Sequence, residues 1–76
     1  MKPLVEFIAS SLVDDAAEVR VSETSTGRET RLILTVAPDE VGRIIGRQGR
    51  TIRAMRTLLD LAGRKAGRRF VLEVEE

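Results

Sequence analysis

Residues 41–52 have the sequence Val-Gly-Arg-Ile-Ile-Gly-Arg-Gln-Gly-Arg-Thr-Ile, in which two glycines interrupt a helical pattern. A short helix is predicted to end at Gly46, and a second helix to begin just after Gly49. A phosphate-bearing strand can approach this turn closely because neither glycine carries a side chain. The second helix adds unpaired N–H groups and the positive end of its dipole. A helix C-cap and a turn residue are the purely structural explanation of the same two glycines.

The helical period resumes at Arg50 and continues to a terminator at Gly67 or Gly63. Apolar residues at steps of three and four predict its buried side, namely Ile52, Met55, Leu59, Ala62 and Ala66. The opposite side is polar and consists of Arg53, Arg56, Asp60 and Arg64. Asp60 and Arg64 have the spacing and orientation of a stabilising i,i+4 ion pair.

The flanking segments complete an α+β pattern. Leu4, Ile8 and Leu12 predict a helix over residues 3–14. Strands are predicted over residues 18–22, 30–36 and 70–74, with a turn over 24–27 between the first two. The order is αββααβ, and the segments fit one two-layer domain, residues 1–76, with three helices packed on one face of a three-stranded sheet.

The net charge of +1 conceals a strong asymmetry. Residues 42–69 contain nine basic residues and a single acid, Asp60, and so carry +8. Residues 1–41 carry −4, with four basic and eight acidic residues, and residues 70–76 carry −3 from three glutamates. A charge run of this kind is either a solvated helix face or a binding surface for a polyanion.

The composition argues against several function classes. The chain has no cysteine and no histidine, so we expect no disulfide, no metal site built on these residues, no cofactor and no catalytic constellation. We therefore expect a protein that is not an enzyme and has no small-molecule substrate. The N-terminus does not resemble a signal peptide, and no stretch approaches the ~20 apolar residues of a membrane span, which favours a cytoplasmic protein without membrane contact.

Aromatic residues are scarce. Phe7 and Phe70 are the only ones, and both fall in patterns typical of a core. Many RNA-binding modules stack bases on surface aromatics, so this chain is expected to rely on aliphatic contacts and backbone hydrogen bonds instead. Affinity for short RNA is then expected to be modest and salt-dependent, with weak base preference.

Residues 44–52 match the signature of the KH domain, apolar-Ile-Gly-x-x-Gly-x-x-apolar, at every defined position. Over essentially its whole length the chain resembles the KhpA family of small bacterial single-KH proteins, whose fold is the type II arrangement. The resemblance implies that single-stranded RNA is held by Gly46, Arg47, Gln48 and Gly49, with Ile45 and Ile52 lining a groove and Arg43, Arg50 and Arg53 facing the RNA. The opposite wall is expected from the second strand and hairpin turn, through Arg28 and Arg31.

The same resemblance implies partners. KhpA-like proteins form homodimers and pair with a larger Jag-type protein, KhpB, and are described as RNA chaperones or post-transcriptional regulators linked to cell shape and cell-wall biogenesis. The alternative to RNA binding is thus a protein-interaction module, acting mainly as a homodimer or as the partner of a Jag/KhpB-type protein. The apolar residues around Ile44, Ile45 and Ile52 suit either role.

Overall fold

In the computed structural model, which describes residues 1–75, three α-helices and three β-strands follow the order αββααβ. Their bounds are Lys2–Leu12 (α1), Arg20–Thr26 (β1), Glu29–Thr35 (β2), Val41–Ile45 (α2), Arg50–Ala66 (α3) and Arg69–Glu75 (β3). Short 3₁₀ segments lie at Ala16–Glu18, Pro38–Glu40 and Arg47–Gly49. The predicted class and element order are confirmed, and residue 76 of the predicted domain lies outside the described residues.

The three strands form one mixed sheet in the order β1-β2-β3. β1 and β2 are an antiparallel hairpin, whereas β2 and β3 are parallel. A parallel pair needs a crossover connection, and here α2 and α3 supply it. Within the described residues, β3 is therefore an edge strand, and α3 packs against it.

The core lies between the helices and one face of the sheet. Along β2, Thr30, Leu32 and Leu34 are buried, while Arg31 between them is exposed. This alternation has the period of two that a half-buried strand requires. Val5 and Ala9 of α1 and the residues Ile52, Met55 and Leu59 of α3 close over that face. The helices thus pack on one side of the sheet, as predicted.

The hairpin turn is shorter than predicted. Thr24 and Thr26, expected in the turn, belong to β1, and the strands pair as far as Thr26 with Glu29. Only Gly27 and Arg28 form the turn, with Gly27 at φ +60°. Threonine and serine hydroxyls suit both a turn and an exposed strand, and the pairing with β2 decides in favour of the strand.

The expectation that Phe7 belongs to the core is wrong. Its side chain is 71% exposed. The buried side of α1 is centred on Val5 and Ala9, and a residue two positions from both points away from them. Ala66 of α3 is exposed as well, and the buried side of that helix continues through Gly63 instead.

The side chain of Glu40 links the start of α2 to the residues that follow α1. It is only 6% exposed, and its carboxylate accepts hydrogen bonds from the backbone N–H groups of Asp14 (2.6 Å) and Asp15 (3.2 Å). Arg43 of α2 adds an ion pair to Asp14 at 3.2 Å. These contacts fix α2, and with it the glycine-containing turn that follows.

Within residues 1–75, no helix combines the length and the apolar character that a membrane crossing requires. Over the same part of the chain, no three His, Cys, Asp or Glu side chains are grouped so that they could hold a metal ion.

Candidate nucleic-acid interface

The 46–49 loop, defined as Gly46, Arg47, Gln48 and Gly49, makes an abrupt turn between α2 and α3. Three of its residues have positive φ: Gly46 at 77°, Gln48 at 57° and Gly49 at 73°. The N–H of Gly46 donates to Gly42 O at 2.9 Å, and that of Gly49 to Gly46 O at 3.1 Å. The residues with positive φ reverse the chain direction, so only residues 46–49 separate the end of α2 from the start of α3.

The two glycines are required for different reasons. A Cβ at Gly46 would overlap Thr51 Oγ1 and lie 2.9 Å from Thr51 N, so this position is closed by the first turn of α3. A Cβ at Gly49 would meet only Arg53 Nη1, at 3.6 Å, and here the positive φ favours glycine. Both glycines are partly exposed. The backbone remains accessible, and its most open position is Gly49.

The start of α3 is an electropositive surface. Within residues 1–75, no side chain caps the helix N-terminus: the N–H of Arg50 donates to Arg47 O, and the first-turn N–H groups after it have no side-chain acceptor. Arg47, Arg50 and Arg53 are exposed around it, and Arg50 donates to Gln48 Oε1 at 3.1 Å. Among residues 1–75, none of these three arginines forms an ion pair within 4.0 Å. Helix dipole and guanidinium groups therefore act together on an approaching anion.

Three other predicted residues are engaged elsewhere. Ile52 is only 5% exposed and belongs to the core, so it offers little surface to a ligand. Ile45 is half-buried and packs against the same core. Arg43 is exposed but pairs with Asp14. Of the three, Ile45 has apolar surface beside the loop.

The structure brings neither Arg28 nor Arg31 to the loop. Arg31 lies on the sheet face away from the helices, where its guanidinium pairs with Glu73 and Glu29. Arg28 lies in the hairpin turn beside the start of β3, with its carbonyl accepting from Arg69 N at 2.7 Å. The hairpin turn and the start of β3 are near the C-terminal end of α3, whereas the loop is at its N-terminal end. The 17 residues of α3 separate the two ends by about 25 Å, at 1.5 Å per residue.

The structure instead forms a groove between α3 and the free edge of β3, called here the α3–β3 groove. It consists of two adjoining cavities of about 260 and 320 Å³ that share Asp60, Arg69 and Phe70. The remaining lining residues are Arg56, Arg64, Arg68, Val71, Leu72 and Glu73. Because β3 is an edge strand, part of its backbone hydrogen-bonding groups also face this groove.

Sequence reasoning missed most of this groove. Arg56 and Arg64 stood out only as part of a charged helix face. Phe70 was expected in the core; it packs against the core but is half-buried and also lines the groove. The predicted Asp60–Arg64 ion pair is not formed among residues 1–75, although both side chains line one cavity. The spacing of Arg56, Asp60 and Arg64 by four residues indicates that they share one side of α3. It does not indicate which strand that side faces, and so does not predict the groove.

Comparison with known proteins gives a consistent match. The model of the KhpA/KhpB KH domain matches residues 2–74. A protein of Aquifex aeolicus named RNA-binding protein KhpA is 46% identical over 76 residues, covering 100% of this chain and 96% of the relative. Proteins of the same name from Halalkalibacterium halodurans and Clostridium acetobutylicum are each 46% identical over 74 residues, covering 97% of this chain and 97% and 99% of the relatives. No solved structure gives a significant match.

Proposed function

The chain belongs to the KhpA/KhpB KH-domain family, and we propose that it binds single-stranded RNA with the 46–49 loop and the α3–β3 groove. The phosphate backbone is held at the loop and the start of α3, and the bases enter the groove. The activity is binding without catalysis.

The observation that carries the proposal is the start of α3, which within residues 1–75 has no side-chain cap and three arginines without an ion pair. Gly49 leaves the backbone open beside the first-turn N–H groups, and Arg47, Arg50 and Arg53 surround it. A helix N-terminus with adjacent arginines favours phosphate through both its dipole and its hydrogen-bond donors. Single-stranded RNA supplies phosphates at regular spacing together with unstacked bases, and KH domains hold about four nucleotides in this way.

The groove supports the same proposal because it lies along α3, and its lining residue Arg56 is one helical turn from Arg53 at the phosphate site. Its lining combines the half-buried Phe70 and Val71 with the charged Arg56, Arg64 and Arg69. Bases have apolar faces and polar edges, so a groove of mixed character beside a phosphate site suits them. A double-stranded helix presents neither free base faces nor free Watson–Crick edges, which favours the single-stranded form.

The loop is tested by the double variant Arg47→Asp, Gln48→Asp. Both glycines are retained, and aspartate tolerates the left-handed conformation of residue 48, so the fold is expected to survive. Fluorescence anisotropy with labelled single-stranded RNA at several salt concentrations is expected to show at least a tenfold loss of affinity, because two carboxylates replace the donors that face the phosphates.

The matched control is Lys2→Glu, Thr24→Glu, which changes the net charge by the same −3 at exposed sites on α1 and β1. It is expected to lose far less affinity, because only long-range attraction changes. If the loop variant binds RNA like the wild type while circular dichroism shows it folded, the loop is not the binding site.

A second role, association with another KH protein, is favoured by apolar side chains on the surface of α3. Leu58 is 51% exposed and Leu61 is 56% exposed. Leu58 is two residues from both Arg56 and Asp60, so it lies on a different side of the helix from the groove. We propose self-association through this side, with pairing to a KhpB-type protein as the related alternative. It is compatible with RNA binding and with a cytoplasmic role as an RNA chaperone linked to cell shape and the cell wall, which the family resemblance predicts.

A further inference from the structure

Arg56 occupies a backbone acceptor of the α3–β3 groove, the carbonyl oxygen of Leu72, which lines the cavity of about 320 Å³. Its Nε–H and one Nη2–H both donate to the carbonyl oxygen of Leu72, at 3.3 and 3.0 Å. A carbonyl oxygen has two lone pairs, so two donors saturate it. A ligand that enters the groove therefore meets the guanidinium group of Arg56 in place of the Leu72 carbonyl.

The remaining donors of Arg56 point away from Leu72. The guanidinium group has five N–H donors, and the end formed by Nη1 and Nη2 retains a fork of two parallel ones. Among residues 1–75, no carboxylate lies within 4.0 Å of this group. The fork is thus free to bind two adjacent acceptors of a ligand.

Asp60 supplies the complementary group one turn along the same helix. It lines the same cavity of about 320 Å³ as Arg56, and residues four apart are neighbours on a helix surface. The Asp60 carboxylate is exposed and forms no ion pair within the described residues. Along α3, the groove therefore presents two donors followed by an acceptor.

We propose that Arg56 and Asp60 make the groove selective for cytosine, an inference that rests on the RNA-binding function proposed above. The Watson–Crick edge of cytosine carries two adjacent acceptors, O2 and N3, followed by the N4 amino donor. The Arg56 fork binds the acceptors, and Asp60 accepts from the amino group, as carboxylates do with cytosine N4.

The other bases match this pattern less well. Adenine offers one acceptor, N1, beside its amino group, so half of the Arg56 fork is unused, and the Leu72 carbonyl is not free to accept from the amino group. Uracil places the N3–H donor between its two acceptors, where it opposes the fork. Guanine presents N7 and O6 to an arginine fork, but that edge has no amino group for Asp60, and its Watson–Crick edge has a single acceptor, O6, so half of the fork is unused there.

The test compares labelled oligocytidylate and oligoadenylate of equal length by fluorescence anisotropy. The wild type is expected to prefer cytidylate by about tenfold, the discrimination of one good bidentate contact. In Arg56→Met, which keeps an unbranched apolar stem, this ratio is expected to fall to about one, because the fork is gone and Leu72 O is free.

The matched control is Arg64→Met, which removes the same charge from the same helix and groove but no bond to β3. It is expected to weaken binding of both oligonucleotides equally and to preserve their ratio. If Arg56→Met also preserves the ratio, Arg56 acts only as a charge and the inference is overturned. A wild type that binds neither oligonucleotide refutes the proposed function itself.

A second measurement needs no variant. An oligonucleotide of 2-pyrimidinone, which is cytosine without the amino group, keeps both acceptors and loses the donor for Asp60. The wild type is expected to bind it at least about tenfold more weakly than oligocytidylate, as for one lost charge-assisted hydrogen bond. Equal binding of the two contradicts the role of Asp60 in base selection.

Discussion

At the scale of single residues, Gly46 and Gly42 show that similar glycines have different roles. Gly46 has φ +77°, and the space where a Cβ would lie is filled by Thr51. Gly42 is in α2, and no atom of residues 1–75 that counts as a neighbour lies within 4 Å of an added Cβ, so close approach to a neighbour does not explain this glycine. Of these two glycines, only Gly46 is required by the geometry of the loop.

Replacing each glycine by alanine separates these roles. Gly46→Ala is expected to destabilise the fold by about 1–3 kcal/mol, because it combines a strained backbone with a steric overlap. Gly42→Ala is expected to stabilise it by about 0.5–1 kcal/mol, through the lower conformational entropy of the unfolded chain. Urea unfolding measures both, and a loss at residue 42 as large as at residue 46 would contradict this assignment.

At the scale of elements, the loop is positioned by contacts between segments distant in sequence. Glu40, just before α2, accepts hydrogen bonds from the backbone at the end of α1, 25 and 26 residues earlier in the chain. At the other end of the connection, Arg68 donates through Nε and Nη2 to the buried Thr30 of β2. Both ends of the α2–α3 connection are thereby fixed to the sheet and to α1.

The Glu40 contact is expected to be important for stability. Glu40→Ala leaves two partly buried N–H groups without an acceptor and is expected to lower the free energy of unfolding by about 1–3 kcal/mol. Glu40→Gln retains one acceptor oxygen and is expected to lose less. Asp39→Ala, at the exposed neighbour, is the control and is expected to change stability by no more than about 0.5 kcal/mol. The midpoints of urea unfolding measure these changes. Equal losses of stability in Glu40→Ala and Asp39→Ala would argue against a role for the Glu40 contact.

At the scale of the whole molecule, polar and apolar surfaces of α3 face different directions. Arg56, Asp60 and Arg64 face the groove, while Leu58 and Leu61 face solvent elsewhere. A domain of 76 residues buries only about 60% of the surface that its unfolded chain exposes, so its stability is limited. Burying exposed leucines against a second copy adds stability that depends on protein concentration.

Self-association is therefore expected to depend on these leucines. In Leu58→Glu, Leu61→Glu, the mass measured by sedimentation is expected to fall to the 8.4 kDa of one chain, and the thermal midpoint to become independent of concentration. The control is Phe7→Glu, which places one such charge at another exposed apolar site. If only the control variant becomes monomeric, the interface lies on α1, and if the wild type is already monomeric, α3 does not mediate self-association.

The sequence by itself determined the element order and the 46–49 loop. Helix periodicity, strand alternation and the positive φ of glycine are local properties, readable over a few residues. The errors at this level, the shortened hairpin turn and the exposed Phe7, arose where a local pattern was compatible with two environments.

Only the tertiary structure decided which surfaces those elements share. The α3–β3 groove exists because, in the part of the chain that the structure describes, β3 pairs only with β2 and leaves an edge beside α3. Strand order is a long-range property. Three contacts also depend on the tertiary structure. Arg56 donates to the Leu72 carbonyl, Arg31 forms an ion pair with Glu73, and Glu40 accepts from the backbone at the end of α1. Each depends on contacts between residues far apart in the chain, which local propensity does not specify.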